Sequence, residues 1–224
     1  MSLKNTFLFT VLSLVFQFSI GFALALLFSQ KFKLAGPVRG LMLVAYMMPV
    51  SVTALLFRNM FMTDGVLNDI LLRLHLIQAP IEWLIHKDVV MYSPIFTNCW
   101  VGIPFNMLLL LSGLSGISND LYESAKIDGA NAGQRFFHIT LPLLKPAIIS
   151  VLTLGFIYTF KVFDLIYMMT NGGPRNASEV LATYAYNLSF TQYKFSLGSA
   201  AANIMFLCLF LVGMFYLHLQ NKEE

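Results

Sequence analysis

Charged residues are scarce in this chain. Asp, Glu, Lys and Arg make up only 11% of its 224 residues, whereas an ordinary soluble domain carries about 25%. Hydrophobic residues make up 58%, and the mean hydropathy is +0.73. This composition argues against a soluble globular domain. It predicts an all-α fold, a polytopic helical bundle that lies in a membrane.

Cysteine clusters and runs of positive charge are also lacking. Cys99 and Cys208 lie far apart in apolar segments, so they provide neither the spacing of a metal site nor a disulfide framework. The net charge of +3 is dispersed along the chain, which argues against nucleic acid as a partner.

Sequence motifs of nucleotide binding and of common hydrolases are missing too. There is no Gly-Lys-Ser/Thr of a Walker A loop, no H-E-x-x-H and no nucleophile elbow. The four histidines are scattered without ligand spacing: His75, His86, His138 and His218. We therefore expect no catalytic residue, no metal site and no cofactor on this chain.

Five apolar segments are long enough to cross a bilayer as helices, for which about 20 residues are needed. They are residues 6–29, 40–61, 89–111, 146–169 and 199–219. The first could also be a signal peptide, but it exceeds the usual apolar region of about 7–15 residues. We interpret it as a membrane span and predict one transmembrane domain over residues 1–224.

The polar stretch between the third and fourth spans has the pattern of two short helices. Ser118 can cap the first helix, and Gly129 fits the left-handed position that ends it. A second helix is predicted at about 131–139, and Pro142 and Pro146 then prevent its simple continuation and begin the next span. From the residues alone, this stretch is either an interfacial linker or a docking element that transmits displacement from a soluble partner.

Part of this stretch resembles a known family signature. Seven residues in it stand at the spacing of that signature: Glu123, Ser124, Ala125, Gly129, Ile139, Leu141 and Pro142. The pattern is similar to the EAA loop, E-A-A-x3-G-x9-I-x-L-P, of binding-protein-dependent ABC transporter permeases. Ser124 replaces the alanine at the second position of that motif, and serine is nearly as small, so docking is little threatened.

Other matches run along almost the whole chain and are typical of the carbohydrate-uptake type, the maltose- and glycerol-phosphate-like permeases. They are W-V-G-I-P-F at 100–105, L-S-G-L at 111–114, I-D-G-A at 127–130 and F-D-L-I-Y-M-M-T-N-G-G-P at 163–174. Permeases of this type usually have six or more spans. The resemblance thus implies that the first transmembrane helix is missing here, and we expect a truncated or mis-started chain.

The resemblance also implies a topology and a set of partners. Residues 113–145 would form a cytoplasmic coupling loop that contacts the ATP-binding subunits through Glu123, Ser124, Ala125, Asp128, Gly129, Ile139, Leu141 and Pro142. Two such subunits would hold ATP and Mg²⁺. A second homologous permease chain, an extracytoplasmic substrate-binding protein and the lipid bilayer complete the expected partners. The expected location is the cell membrane of a bacterium, and the expected cargo is a sugar or related polyol.

Polar residues at membrane depth are costly and are therefore functional candidates. Asn98, Trp100 and Asn106 surround Pro104 on the third span, and their amides and aromatic face suit a sugar. Interhelical hydrogen bonding and packing is the alternative role. Lys161 and Asp164, three apart on the fourth span, can pair; they either line the pathway or neutralise each other.

Two other classes of protein compete with an importer permease. An intramembrane enzyme would need a reactive dyad or metal ligands at membrane depth, and only Lys161 and Asp164 come near. A stand-alone secondary transporter or channel would show internal inverted repeats. No repeat is visible, and the EAA-like loop would be unexplained. The sequence therefore predicts the permease subunit of an ATP-driven importer, with the stand-alone transporter as the alternative.

Overall fold

The computed structural model describes residues 1–30 and 33–220, and all regular structure in these ranges is helical. The helices are α1 Ser2–Phe28, α2 Ala35–Met47, α3 Val50–Met60, α4 Val66–Arg73, α5 Tyr92–Ser115, α6 Asn119–Ile127, α7 Ala132–Arg135, α8 Leu141–Phe160, α9 Asp164–Met169, α10 Leu181–Tyr186 and α11 Phe195–Gln220. Single π-helical turns follow α7 and α10, at Phe136–Thr140 and Asn187–Thr191.

Four continuous helices in the described part of the chain are long and apolar enough to cross a membrane. They are Ser2–Phe28, Tyr92–Ser115, Ala132–Phe160 and Phe195–His218. A fifth crossing exists if α2 and α3 together count as one broken span. The predicted all-α membrane bundle is confirmed.

Two of the predicted spans are not single helices. In segment 40–61, α2 and α3 meet at an angle of 95°, with an extended Met48 between them. Pro49 explains this break, because proline disfavours helical backbone at the residue before it. Segment 146–169 is interrupted as well, since α8 ends at Phe160 and α9 begins at Asp164. Hydropathy did not reveal the second break because most residues on both sides of it are apolar, despite the charged Lys161 and Asp164 at the break itself.

Helix α1 is the central element of the bundle and packs against α5, α8 and α10. Small residues allow the close approach of α1 and α5. A Cβ at Gly21 would lie 2.8 Å from the Cβ of Asn106, and one at Gly102 would collide with the side chain of Gln17. Such glycine contacts are typical of helix packing in membranes.

The apolar core has two parts, one at each end of α1. The part near the start of α1 is built around Phe9, Ile95, Leu165, Ile166 and Val180. The part near its end is built around Ala25, Phe28, Met107, Leu110, Leu114 and Leu144. Between the two parts lie buried polar side chains and a cavity, described below.

The segment before α10 is held against the start of α1 by buried polar groups. Ser2 Oγ donates to Glu179 Oε2 at 2.8 Å, and Asn5 Nδ2 donates to the carbonyl of Glu179 at 3.0 Å. The backbone N–H of Leu181 donates to Thr6 Oγ1 at 2.8 Å. These bonds fix the segment at the end of the bundle opposite α6.

A candidate coupling helix and translocation cavity

Helix α6 is short and capped at both ends. Ser118 Oγ accepts the backbone N–H of Asp120 at 3.3 Å. At the other end, Gly129 has φ +81°, and the N–H of Ala130 donates to the carbonyl of Ala125 at 2.8 Å. This is a Schellman closure, in which a left-handed residue ends the helix and satisfies its last carbonyls. The predicted cap and glycine stop are both confirmed.

The two faces of α6 differ in their surroundings. On the inner face, Tyr122 Oη and the buried Thr140 Oγ1 share a hydrogen bond of 2.9 Å. On the outer face, Ile127 is 87% exposed, and Glu123 and Ser124 are exposed beside it. A rigid helix therefore presents an apolar side chain within a polar surface, away from the body of the bundle.

The remaining predicted coupling residues lie on both sides of α7. Asp128 is the exposed C-cap of α6, and Ala125 is half-buried. Ile139 lies half-buried in the π-helical turn, and Leu141 and Pro142 begin α8, the leucine half-buried and the proline exposed.

The break predicted between the second short helix and the next span is wrong. Helix α7 starts at a capping box between Asn131 and Gln134 and continues through the π-helical turn into α8. In that turn the N–H of Leu141 donates to the carbonyl of Phe136, five residues back. We attribute the continuity to this wider turn, because it accommodates Pro142, which has no N–H to donate. Pro146 lies inside α8.

The result is one helical rod from the coupling region to the membrane interior. Its 29 residues from Ala132 to Phe160 extend about 43 Å at about 1.5 Å per residue. Thr140, the partner of Tyr122, lies in its first third. A displacement of α6 would therefore act directly on α8.

A cavity of about 370 Å³ lies between α1, α5, α8 and the break that separates α2 from α3. Amide, hydroxyl and aromatic groups line it, among them Gln17, Tyr46, Asn98, Phe105, Tyr158 and Thr159. Gln17 is only 2% exposed, and its Nε2 donates to the carbonyl of Asn98 at 2.9 Å. Among the described residues the buried Asn98 Nδ2 has no hydrogen-bond partner, so a donor remains for a ligand.

Three aromatic rings form a row along this cavity. The Tyr46 and Phe105 rings stack with centroids 5.7 Å apart, and Phe105 meets Tyr158 edge to face at 5.9 Å. No charged side chain lines the cavity in the described part of the chain. The arrangement suits an uncharged ligand that has both hydroxyl groups and C–H faces.

The structure separates the three polar residues predicted on α5. Asn98 lines the cavity, but Trp100 does not. Trp100 is 50% exposed, and its ring centroid lies 5.8 Å from that of Phe57. Positions two residues apart in an α-helix are rotated by about 200° about its axis, so Trp100 points away from Asn98. Asn106 is fully buried where α5 meets α1, and its Nδ2 donates to the carbonyl of Gly102 at 2.8 Å. Neither Trp100 nor Asn106 lines this cavity, and their predicted place on a translocation pathway stays a prediction.

The pairing suggested for Lys161 and Asp164 is absent from the described structure. Lys161 caps the end of α8, where its Nζ lies 5.2 Å from the centroid of the Tyr158 ring. Asp164 is exposed at the start of α9. Because the helix breaks between them, the three-residue spacing does not bring the two charges onto a shared face.

Gln17, Tyr46 and Tyr158 also line the cavity, although they were not predicted from the sequence. Gln17 is a polar residue at membrane depth, so the rule applied to Asn98 could have identified it. The two tyrosines carried no such signal, because aromatic residues are common throughout apolar spans.

Comparison with known proteins identifies the family. The sequence model of one family, described as "Binding-protein-dependent transport system inner membrane component", matches residues 17–223. The chain belongs to this family. The permease is thus a multi-pass membrane protein of a binding-protein-dependent transport system, as the resemblance of its EAA-like loop predicted.

Named relatives of the permease are transport-system permeases. It is 36% identical to the sulfoquinovosyl glycerol transport system permease protein SmoG of Agrobacterium fabrum, over 98% of this chain and 71% of the relative. It is 34% identical to the trehalose/maltose transport system permease protein MalF of Thermococcus litoralis, over 93% of this chain and 70% of the relative.

A solved structure has the same fold. One chain of a bacterial ABC transporter involved in the import of the acidic polysaccharide alginate superposes with a TM-score of 0.88. The match covers 99% of the permease and 78% of that chain, at 24% identity. The bundle described above is therefore the fold of an ABC importer permease.

Proposed function

We propose that this permease carries a sugar or related polyol through the membrane, in an importer powered by ATP hydrolysis on separate subunits. The observation that carries the proposal is the rigid connection between α6 and the cavity. Tyr122 fastens α6 to the rod that contains α8, and α8 supplies Tyr158 and Thr159 to the cavity wall.

The chemistry of the cavity supports a sugar as the cargo. Sugars present hydroxyl groups together with apolar C–H faces, and the cavity offers amides beside a row of aromatic rings. The names of the SmoG and MalF transport systems, which describe a sugar derivative and disaccharides, support the same class of substrate.

The exposed face of α6 supports docking on an ATP-binding subunit. Ile127 would enter a groove of that subunit, with Glu123, Ser124 and Asp128 at its border. Burial of a side chain of this size stabilises a contact by about 1.5–3 kcal/mol. On this proposal ATP and Mg²⁺ bind the partner subunits, and this chain catalyses no reaction.

Alternating access requires two bodies that move relative to each other. One permease leaves its cavity laterally open at Tyr46, which is 46% exposed. We infer that a second homologous permease closes the pathway, with two ATP-binding subunits on the α6 side. An extracytoplasmic binding protein would deliver the sugar at the opposite end, where Glu179 holds its segment against α1.

Uptake into proteoliposomes tests this proposal. The complete transporter is reconstituted with the binding protein outside and ATP inside, and the sugar is chosen as one that raises the Tm of the binding protein. Uptake that requires both ATP and the binding protein is the expected result. Uptake that proceeds equally without ATP would overturn the proposal in favour of a stand-alone transporter.

A further inference from the structure

A large crevice lies beside α6, on its inner face. Two depressions of about 700 and 560 Å³ adjoin each other there, and they share the lining residues Ser29, Gln30, Leu114, Ile117 and Asn119. The crevice thus runs from the end of α1 and the start of α2, past the end of α5, to the Tyr122 side of α6. The outer face of α6, which carries Ile127, is turned away from it.

The charges in this crevice are all positive. Lys33 and Arg39 line one depression, and Lys126 and Arg135 line the other. Among the described residues, no Asp or Glu lines either depression, and neither of the ion pairs found includes any of the four cations. A pocket with this charge is complementary to an anion.

The two guanidinium groups are held in place and retain donors. Arg39 Nη2 donates to the carbonyl of Phe28 at 3.1 Å, while its buried Nε has no hydrogen-bond partner in the described structure. Arg135 Nη1 donates to the carbonyl of Ala130 at 3.3 Å. Arginine presents five donors in a planar fork that matches phosphate oxygens, so each group can still donate hydrogen bonds to a phosphate.

The position of the crevice matches the headgroup layer of a bilayer. Helix α1 has 27 residues and is about 40 Å long, close to the thickness of a bilayer that includes its headgroups. Ser29, at its end, would therefore lie at headgroup depth. Beside it α2 and its N-cap expose apolar side chains to their surroundings, with the N-cap Leu34 65% exposed and Leu41 73% exposed.

We propose that this crevice binds the phosphate headgroup of an anionic phospholipid, whose acyl chains lie along the exposed apolar side of α2. The four cations and the free arginine donors provide the headgroup site, and Leu34 and Leu41 provide the apolar surface. Basic pockets between transmembrane helices on the cytoplasmic side are suited to anionic headgroups. The assignment of this side to the cytoplasm rests on the proposed function, whereas the lipid site rests on the crevice itself.

Bound lipid would connect the membrane to the coupling helix. The headgroup would bridge Arg39 on α2 to Lys126 on α6 and to Arg135 on α7. Anionic lipid is therefore expected to stabilise the arrangement of α6 against the bundle, which a zwitterionic lipid of equal chain length would not do.

Native mass spectrometry of the complete transporter, purified in detergent, tests the proposal. The complex is titrated with phosphatidylglycerol or with phosphatidylcholine of the same chain length. We expect one phosphatidylglycerol per permease to be retained in preference to phosphatidylcholine. In the Arg39→Gln/Arg135→Gln double variant its affinity should fall about 30-fold, because each cation near an anionic lipid surface contributes roughly fivefold.

Matched controls separate the possible outcomes. Lys87→Gln removes an exposed cation outside the crevice and should leave phosphatidylglycerol binding unchanged. If the double variant does not assemble, the milder Lys33→Gln should still weaken binding about fivefold. Equal retention of both lipids, or binding that none of the crevice variants weakens, would overturn the proposal.

Two further results would contradict a lipid site even if the crevice binds an anion. Displacement of phosphatidylglycerol by an equal concentration of inorganic phosphate would indicate a site for a soluble anion. Loss of the ATP-binding subunit from the Lys33→Gln complex would assign the crevice to that protein. Uptake does not enter this measurement, so failure of the lipid site and failure of the transport proposal remain distinguishable.

Discussion

The hydroxyl groups of Tyr122 and Thr140 lie 2.9 Å apart and join the coupling helix to the rod that reaches the cavity. Thr140 is buried and lies in the π-helical turn that connects α7 to α8. This contact is one connection by which a movement of α6 can reach the membrane interior.

Removal of this hydroxyl should loosen the coupling between ATP hydrolysis and transport. A hydrogen bond of this kind contributes about 1 kcal/mol, so Tyr122→Phe should assemble normally but move less sugar per ATP hydrolysed. Tyr184→Phe removes a hydroxyl far from α6 and is the control. The measurement is the ratio of uptake to phosphate release in proteoliposomes. An unchanged ratio in Tyr122→Phe would show that the bond does not transmit movement.

The exposed isoleucine of α6 should determine assembly with the ATP-binding subunit. Ile127→Asp replaces a side chain that would be buried in the partner with a charge, and should reduce co-purification of that subunit by about tenfold or more. Ile85→Asp, at a position 62% exposed outside α6, is the matched control. Equal recovery of the ATP-binding subunit with both variants would show that Ile127 does not lie in the contact.

Gly129 should be required because of its backbone conformation, and not because neighbouring atoms leave no room for a side chain. A Cβ there would meet no atom within 4 Å, but φ is +81°, where a side chain costs roughly 1–2 kcal/mol. Gly129→Ala should therefore lower the Tm of the permease and weaken its association with the ATP-binding subunit. Gly133→Ala, in helical backbone, should have no such effect. The same Tm for both variants would show that the left-handed turn is not under strain.

The aromatic row should govern the affinity of the cavity for its cargo. Phe105→Leu removes the ring that contacts both Tyr46 and Tyr158, which should raise the apparent KM for sugar uptake several-fold. Phe96→Leu alters a ring on another side of α5, 56% exposed, and should leave KM unchanged. Similar KM values for the two variants would place the pathway elsewhere.

Local features of this chain were predictable from its sequence, and relations between distant residues were not. The cap at Ser118 and the turn at Gly129 follow from residues a few positions apart, so their chemistry is visible in the sequence. The bond between Gln17 and Asn98 joins two spans, and nothing in either segment indicates which helix faces meet. That Trp100 lies outside the cavity was not predictable for the same reason, because the rotation of α5 about its axis is set by tertiary packing.

The positions of helix breaks within apolar segments were also not predictable from the sequence. Lys161 and Asp164 were expected to share a helical face, but the turn between them is made of apolar residues and has no sequence signal. Conversely, Pro142 suggested an interruption where the chain remains helical through a π-helical turn. Hydropathy reports which residues prefer lipid, and it does not report where the backbone bends.

Site-specific photo-crosslinking from position 127 tests the central claim most directly. A benzoylphenylalanine at this position, in the complete transporter in its membrane, should give an adduct of the permease with the ATP-binding subunit. The same group at position 85 should give none. An intact complex that yields lipid adducts alone at position 127 would contradict the account, because α6 would then lie on the membrane rather than in a partner's groove.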